Sequence, residues 1–118
     1  MDIESYREYC LAKKGVTEHF PFDENTLVFK VLGKMFALTS VESFEFVNLK
    51  CDPDLAVDLR ERYQEVTPGY HMSKKHWNSV LMGGMLPDAL IKEWIDTSYW
   101  LVVKSLPKKE QEKLKLGA

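Results

Sequence analysis

The sequence predicts an α+β fold in which helices pack on one face of a mostly antiparallel β-sheet. Three short segments in the first half are rich in apolar residues, and two of them are joined by a turn, which is typical of antiparallel neighbours. A longer segment near the carboxyl end repeats its apolar residues every three or four positions, which predicts an amphipathic helix. The predicted order is helix, three strands, helix, strand, helix and helix, in one domain over residues 1–118.

The first helix is predicted over about residues 3–13. Asp2 precedes it in the capping position, where a carboxylate accepts hydrogen bonds from free backbone amides, and Gly15 follows as its stop. Residues 16–25 contain Phe20-Pro21-Phe22 and are predicted to form a loop. The chain therefore begins with a helix and a connecting loop before the sheet.

The next segment predicts a three-stranded meander. Residues 26–31 and 35–39 flank Leu32-Gly33-Lys34, which is typical of a β-hairpin. Residues 44–50 alternate apolar and polar side chains, as a half-buried strand does.

The second half supplies one strand and three helices. Asp52-Pro53 predicts the start of a helix of about residues 53–63, with aspartate as the cap and proline at the first helical position. Residues 77–82 predict a strand, and the alternative for its first residues is a short helix. A long helix is predicted over about residues 88–105, and Pro107 opens a last short basic helix.

Composition and charge exclude several classes of protein. The 118 residues are 45% apolar and include two cysteines, and no segment approaches the roughly 18 apolar residues of a membrane span. Two thiols are too few for a disulfide framework, so we expect a cytoplasmic protein with reduced cysteines. A formal net charge of −2 argues against a protein that coats nucleic acid indiscriminately. Positive charge is nevertheless concentrated locally, since residues 66–82 contain two lysines and no acidic residue.

The segment from Pro68 to Trp77 is the richest in functional side chains, with two histidines, two lysines and two aromatic residues. If Ser73 caps a helical turn, Met72 and Trp77 occupy the positions that form a hydrophobic staple. Trp77 is then a core residue and not a platform for stacking bases. The pattern indicates a contact surface, because the sequence contains no nucleophile and base pair, metal cluster or glycine-rich phosphate loop.

Lys74 and Lys75 would lie in the first turn of that helix, where cations oppose the backbone dipole. Their placement is therefore not explained by stability, and with free amides they would form a small anion site suited to a phosphate or an acidic side chain. The alternative is a helix of one turn with a negligible dipole, in which both lysines are simply solvated.

Histidines do not predict a metal centre. His71 and His76 are five residues apart, which does not align them on one helix face, and no carboxylate or cysteine accompanies them. We expect a structural hydrogen-bonding role for His71 in the turn, and neither a metal nor another cofactor.

A set of short motifs spans nearly the whole chain. They are Tyr9-Cys10 with Gly15, Pro21-Phe22, Lys30-Val31, Gly33 to Ala37, Leu49-Lys50, Leu59-Arg60, Pro68 to Trp77, Ser98-Tyr99 and Leu106-Pro107. With these motifs the chain resembles the YjbR/MmcQ family of small bacterial proteins. Ser73 stands where asparagine is common in the family, and both residues cap helices.

The resemblance implies a CyaY-like α+β fold and DNA binding through a double-wing arrangement, in which two hairpin loops engage the duplex. It implies no established reaction. The wings would be the 26–39 hairpin and the region around 70–84. Carried onto this sequence, the residues that would contact nucleic acid are Lys30, Lys34, Tyr70, Lys74, Lys75 and His76.

Three hypotheses about function follow. DNA binding through phosphate contacts is the first. A protein-interaction or small-ligand-binding domain is the alternative, motivated by the negative net charge and by the aromatic turn Gly69-Tyr70. An enzyme ranks third, because the sequence alone does not allow a pair of titratable groups at a catalytic spacing to be named. We expect a monomer that does not associate with membranes.

Overall fold

The computed structural model describes residues 1–70 and 72–116, which form four helices and one six-stranded sheet. In the sheet the strands lie in the order β1-β2-β3-β4-β6-β5, and every pair of neighbours is antiparallel. The elements are α1 (Ile3–Leu11), β1 (Val16–His19), β2 (Thr26–Val31), β3 (Lys34–Ser40), β4 (Phe46–Lys50), α2 (Pro53–Arg62), β5 (Val66–Pro68), β6 (Trp77–Leu81), α3 (Asp88–Ser105) and α4 (Lys108–Leu116).

The predicted fold class is confirmed, and the structure adds two edge strands to the predicted order of elements. The prediction that residues 16–19 belong to a loop is wrong, because these residues pair with β2 as strand β1. Strand β5 has three residues and ends at Pro68, and a proline weakens the sequence signal for a strand. Both segments are short, so their strand conformation depends on the neighbour that each one pairs with.

The helix starts are mostly as predicted. The Ser5 amide donates to Asp2 Oδ1 at 2.8 Å, which confirms the predicted cap of α1. Pro53 is the first residue of α2, as predicted, but the Asp52 side chain makes no capping hydrogen bond. Among the described helices, none combines the length and hydrophobicity that a membrane span requires.

The core lies between one face of the sheet and the helices. Phe29, Ala37 and Leu49 are cross-strand partners on β2, β3 and β4, and all three belong to the buried apolar cluster that also contains α3 residues. Ser98 fixes α3 to this face, since its hydroxyl donates to the Phe36 carbonyl at 2.5 Å and accepts from the Lys50 amide at 2.9 Å. The opposite face of the sheet carries none of the described helices and is called the helix-free face below.

Candidate nucleic-acid interface

The antiparallel order brings both predicted wings to one end of the sheet. Strands β2, β4 and β5 finish at this end, and β3 and β6 begin there, so it contains the β2–β3 turn and the connection from β5 to β6. The Leu32 amide also donates to the Gly15 carbonyl at 3.1 Å, which places the end of α1 beside the β2–β3 turn. We call this the hairpin end.

Charge is segregated between the two ends of the sheet. At the far end, the connections 20–25, 41–45 and 63–65 carry acidic residues and contain no lysine or arginine. At the hairpin end the carboxylates that follow β4 are Asp52 and Asp54, and the cations outnumber them. Those cations are Lys14, Lys30, Lys34, Lys50, Lys74 and Lys75.

Lys30 and Lys34 both lie at the hairpin end, but they are on opposite faces of the sheet. Lys30 lies between Thr17 and Met35 on the helix-free face and is half-buried. Lys34 pairs with Val31, whose side chain is in the core, so Lys34 starts from the helix-covered side and is exposed. A ligand that lies flat against one face of the sheet therefore cannot contact both side chains in the same way.

Lys74, Lys75 and His76 are exposed and occupy a single turn, not the predicted helix. The amides of His76 and Trp77 both donate to the Ser73 carbonyl, at 3.2 and 2.9 Å, and Trp77 is already the first residue of β6. One turn has a negligible macrodipole, so the dipole argument for Lys74 and Lys75 is wrong and the solvated alternative describes them. None of these three residues has an ion-pair partner in the part of the chain that the structure describes.

Trp77 is buried, which confirms its predicted structural role, although it is not part of the apolar cluster under the helices. It pairs with Lys50 across β4 and β6, and the backbone of Gly69 packs against its side chain. A Cβ on residue 69 would lie 2.8 Å from Trp77 Cβ, so only glycine permits this approach. Gly69, where the connection from β5 to β6 begins, is thereby held over the start of β6.

Arg60 of α2 also fixes the lysine-bearing turn, although it is not among the residues predicted to contact nucleic acid. Its Nε donates to Asn78 Oδ1 at 2.7 Å, and its Nη2 donates to the carbonyls of Trp77, at 3.3 Å, and Lys74. Asn78 is itself buried and donates to the Ala56 carbonyl at 3.4 Å. Within the described ranges no carboxylate pairs with Arg60, so its positive charge adds to that of Lys74 and Lys75.

Lys50 is a second residue outside the predicted set of contact residues. It ends β4 at the hairpin end, on the same helix-free face as Lys30, and the strand β3 lies between them. Two strand spacings separate the backbones of Lys30 and Lys50 by about 10 Å. The alternation of polar and apolar residues from Phe46 to Lys50 indicates that Lys50 lies on the polar face of a strand. It does not indicate where that face lies in the sheet, because this depends on the pairing with β6.

Tyr70 belongs to a different surface from the lysines. Its side chain is 74% exposed and lines a groove on the helix-free face. Its amide donates to Ser79 Oγ at 3.2 Å. Tyr70 therefore lines the groove, although it belongs to the same connection between β5 and β6 as Lys74 and Lys75.

The described residues contain no cluster of metal-binding side chains. Among residues 1–70 and 72–116, no three His, Cys, Asp or Glu side chains come together to hold a metal ion. His71, for which a structural role was predicted, lies outside the described residues. Burial raises the pKa of the Cys10 thiol to about 12 and that of the Cys51 thiol to about 11, so both are protonated at neutral pH.

Comparisons with known proteins identify relatives along almost the entire chain. The family model YjbR matches residues 11–101. Two Escherichia coli proteins are similar to the chain: YbdF of strain O157:H7 is 40% identical over 97% of this chain and 94% of its own length, and YjbR of strain K12 is 36% identical over 97% and 98%. Both are described as uncharacterized.

Two crystal structures share the fold. The Deinococcus radiodurans protein DR2400 is 39% identical, covers 96% of this chain and 87% of its own, and superposes with a TM-score of 0.88. A Pseudomonas syringae protein is 26% identical, covers 86% of this chain and 98% of its own, and gives a TM-score of 0.74.

Proposed function

This chain belongs to the YjbR family, and we propose that it binds the phosphate backbone of DNA through the hairpin end of its sheet. The observation that carries the proposal is the segregation of charge: the connections of one end are basic and those of the other end are acidic. The formal net charge of −2 hides this separation, because it sums the positive and negative groups of the whole chain. A phosphate backbone is attracted by the basic end and repelled by the acidic one.

The turn that carries Lys74 and Lys75 supplies the main contact. Both ammonium groups are exposed and have no acidic partner among the described residues, so a phosphate does not compete with an existing ion pair. Arg60 holds the Lys74 carbonyl, which fixes the turn relative to α2 before the ligand arrives. Because the turn is preorganised, binding costs less conformational entropy.

Lys30 and Lys50 extend this contact across the end of the helix-free face. With Lys74 and Lys75 they give about four phosphate contacts, which corresponds to a slope of about −3.6 for log affinity against log salt concentration on duplex DNA. Such a slope weakens binding roughly 150-fold between about 50 and about 200 mM salt. Phosphates carry no sequence information, so these contacts would give little discrimination between sequences.

Anisotropy titrations of labelled duplex and single-stranded DNA at low and physiological salt test the proposal. Lys74→Glu with Lys75→Glu should abolish binding. The matched control is Arg62→Glu with Lys92→Glu, because it makes the same change in charge at exposed positions on α2 and α3 away from this turn. We expect the control to retain most of the affinity.

Two results would overturn the proposal. Absence of salt-sensitive DNA binding by the unmodified protein rejects the function. Equal losses in the two double variants would show that binding depends on total charge alone, and the hairpin end would then not be the site.

A further inference from the structure

A groove on the helix-free face differs from the hairpin end, because its described lining residues include no lysine or arginine. It has a volume of about 540 Å³, which is within the range of small-molecule sites in proteins. The groove lies over β4, β6 and β5, and Tyr70 lines it where the chain leaves β5. It is lined by nine residues, and Glu45 is the charged side chain among them.

The floor of the groove is a fixed polar surface. Asn48 and Ser79 are cross-strand partners, and Ser79 Oγ donates to Asn48 Oδ1 while it accepts from the Tyr70 amide. The bond from Ser79 occupies the side-chain oxygen of Asn48. The side-chain nitrogen, Nδ2, donates to no residue in the described part of the chain. The floor therefore offers a positioned hydrogen-bond donor to a ligand.

Two aromatic side chains line the same groove. Phe46 is 36% exposed and Tyr70 is 74% exposed, so part of each side chain is accessible at the groove. The faces of aromatic rings attract cations, most effectively where water is partly excluded. Both rings can serve this purpose from the wall of the groove.

The local electrostatic field also favours a cation. Glu45 lies at the far end of the sheet, and the adjacent connections carry Glu42 and Glu65 without any lysine or arginine. A phosphate or carboxylate ligand would be repelled here, whereas an ammonium group would be attracted by Glu45 and by the aromatic rings.

We propose that this groove binds a small organic cation: an ammonium group between Glu45 and the rings of Phe46 and Tyr70, with an oxygen acceptor a few atoms away that receives the Asn48 amide. The proposal does not rest on DNA binding, because the groove contains none of the lysines of the hairpin end. Glu45→Gln should therefore leave DNA binding unchanged, and Lys74→Glu with Lys75→Glu should leave cation binding unchanged.

Choline is a suitable probe, because it combines a quaternary ammonium group with a hydroxyl oxygen. Its neutral isostere 3,3-dimethylbutan-1-ol has the same shape without the charge. In a titration followed by amide NMR spectra, choline should shift the signals of Asn48, Ser79 and Tyr70, and the isostere should bind at least roughly fivefold more weakly. Glu45→Gln and Phe46→Leu should each weaken choline binding about threefold, since both groups are partly hydrated.

Three results would overturn the inference. The first is no change in these signals at tens of millimolar choline, and the second is equal binding of choline and its isostere. The third is choline binding that Glu45→Gln and Phe46→Leu do not affect while both variants remain folded, which the dispersion of the same spectra shows. Binding of a neutral nucleoside in the same groove without any response to choline would assign the groove to a base instead of a cation.

Discussion

Replacing Arg60 by glutamine tests whether a clamp between α2 and the 73–77 turn organises the basic surface. Arg60 reaches three acceptors, on Asn78, Trp77 and Lys74, with one guanidinium group. Glutamine is shorter and cannot span them. The turn would then be tied to the fold by its own backbone bonds and not by α2.

The expected loss of stability is dominated by Asn78. Its Oδ1 loses its donor in a side chain that is 2% exposed, and an unsatisfied buried polar atom costs about 1–3 kcal/mol. The Lys74 carbonyl is exposed, so water can replace its lost bond, and the Trp77 carbonyl keeps the hydrogen bond from the Gly69 amide at 2.9 Å. We therefore expect a decrease of about 2 kcal/mol in the free energy of unfolding, which for a chain of this size lowers the melting temperature by roughly 6–10 °C.

Arg62→Gln provides the matched control on the same helix. Arg62 is 62% exposed and pairs with Asp58 at 3.3 Å, one turn away. Exposed pairs of this kind contribute about 0.5 kcal/mol or less. Urea unfolding of the two variants and the unmodified protein measures the difference directly.

DNA titrations of the Arg60→Gln variant separate positioning from direct contact. Because its guanidinium is committed to protein acceptors, affinity should fall while the salt slope stays close to that of the unmodified protein. A slope reduced by about 0.9 would indicate that Arg60 itself neutralises a phosphate. A change in stability no larger than that of Arg62→Gln would refute the clamp.

Two further predictions concern the core. Ser98→Ala removes the partner of both the Phe36 carbonyl and the Lys50 amide, so urea unfolding should show a loss of about 3 kcal/mol, whereas Ser105→Ala on the exposed end of α3 should change little. Burial raises the pKa of Cys10 to about 12 from its ordinary value of 9.0. Between those values the unfolded chain loses a proton that the folded chain keeps, so the free energy of unfolding should fall as pH rises from 9.0 towards 12, and less steeply in Cys10→Ala; equal slopes would contradict this.

Elements specified by local sequence signals were predictable. The Asp2 cap, the β2–β3 hairpin and α3 depend on residues close together in the chain. The sequence patterns that indicate them therefore do not depend on tertiary contacts. Strand β1 was missed because Thr17, Glu18 and His19 have no apolar alternation, and pairing with β2 decides their conformation. Local preference gives way where an edge strand receives its hydrogen bonds from a neighbour.

The site could be predicted only in part, because its arrangement depends on register. Lys30 and Lys34 both belong to the predicted hairpin, but Lys34 pairs with Val31, the neighbour of Lys30, and neighbouring residues of a strand are on opposite faces. The contact between Arg60 and the Lys74 carbonyl joins residues on different elements, and no periodicity in either segment indicates it. The sequence could therefore name the lysines without showing which of them act together.

The separation of charge is itself a consequence of the strand order. A sheet of antiparallel neighbours sends alternate connections to opposite ends, so a chain that places lysines in one set of connections and carboxylates in the other builds a charged axis. Opposite charges nearly cancel in the total, which keeps long-range attraction to phosphates weak, but they still orient the molecule in a field. An approaching duplex would meet the hairpin end and the Lys74–Lys75 turn first, while the acidic end and the groove beside Glu45 would face away from it. Both proposed sites could then be occupied at once, because the field that draws the phosphate to one end repels it from the other.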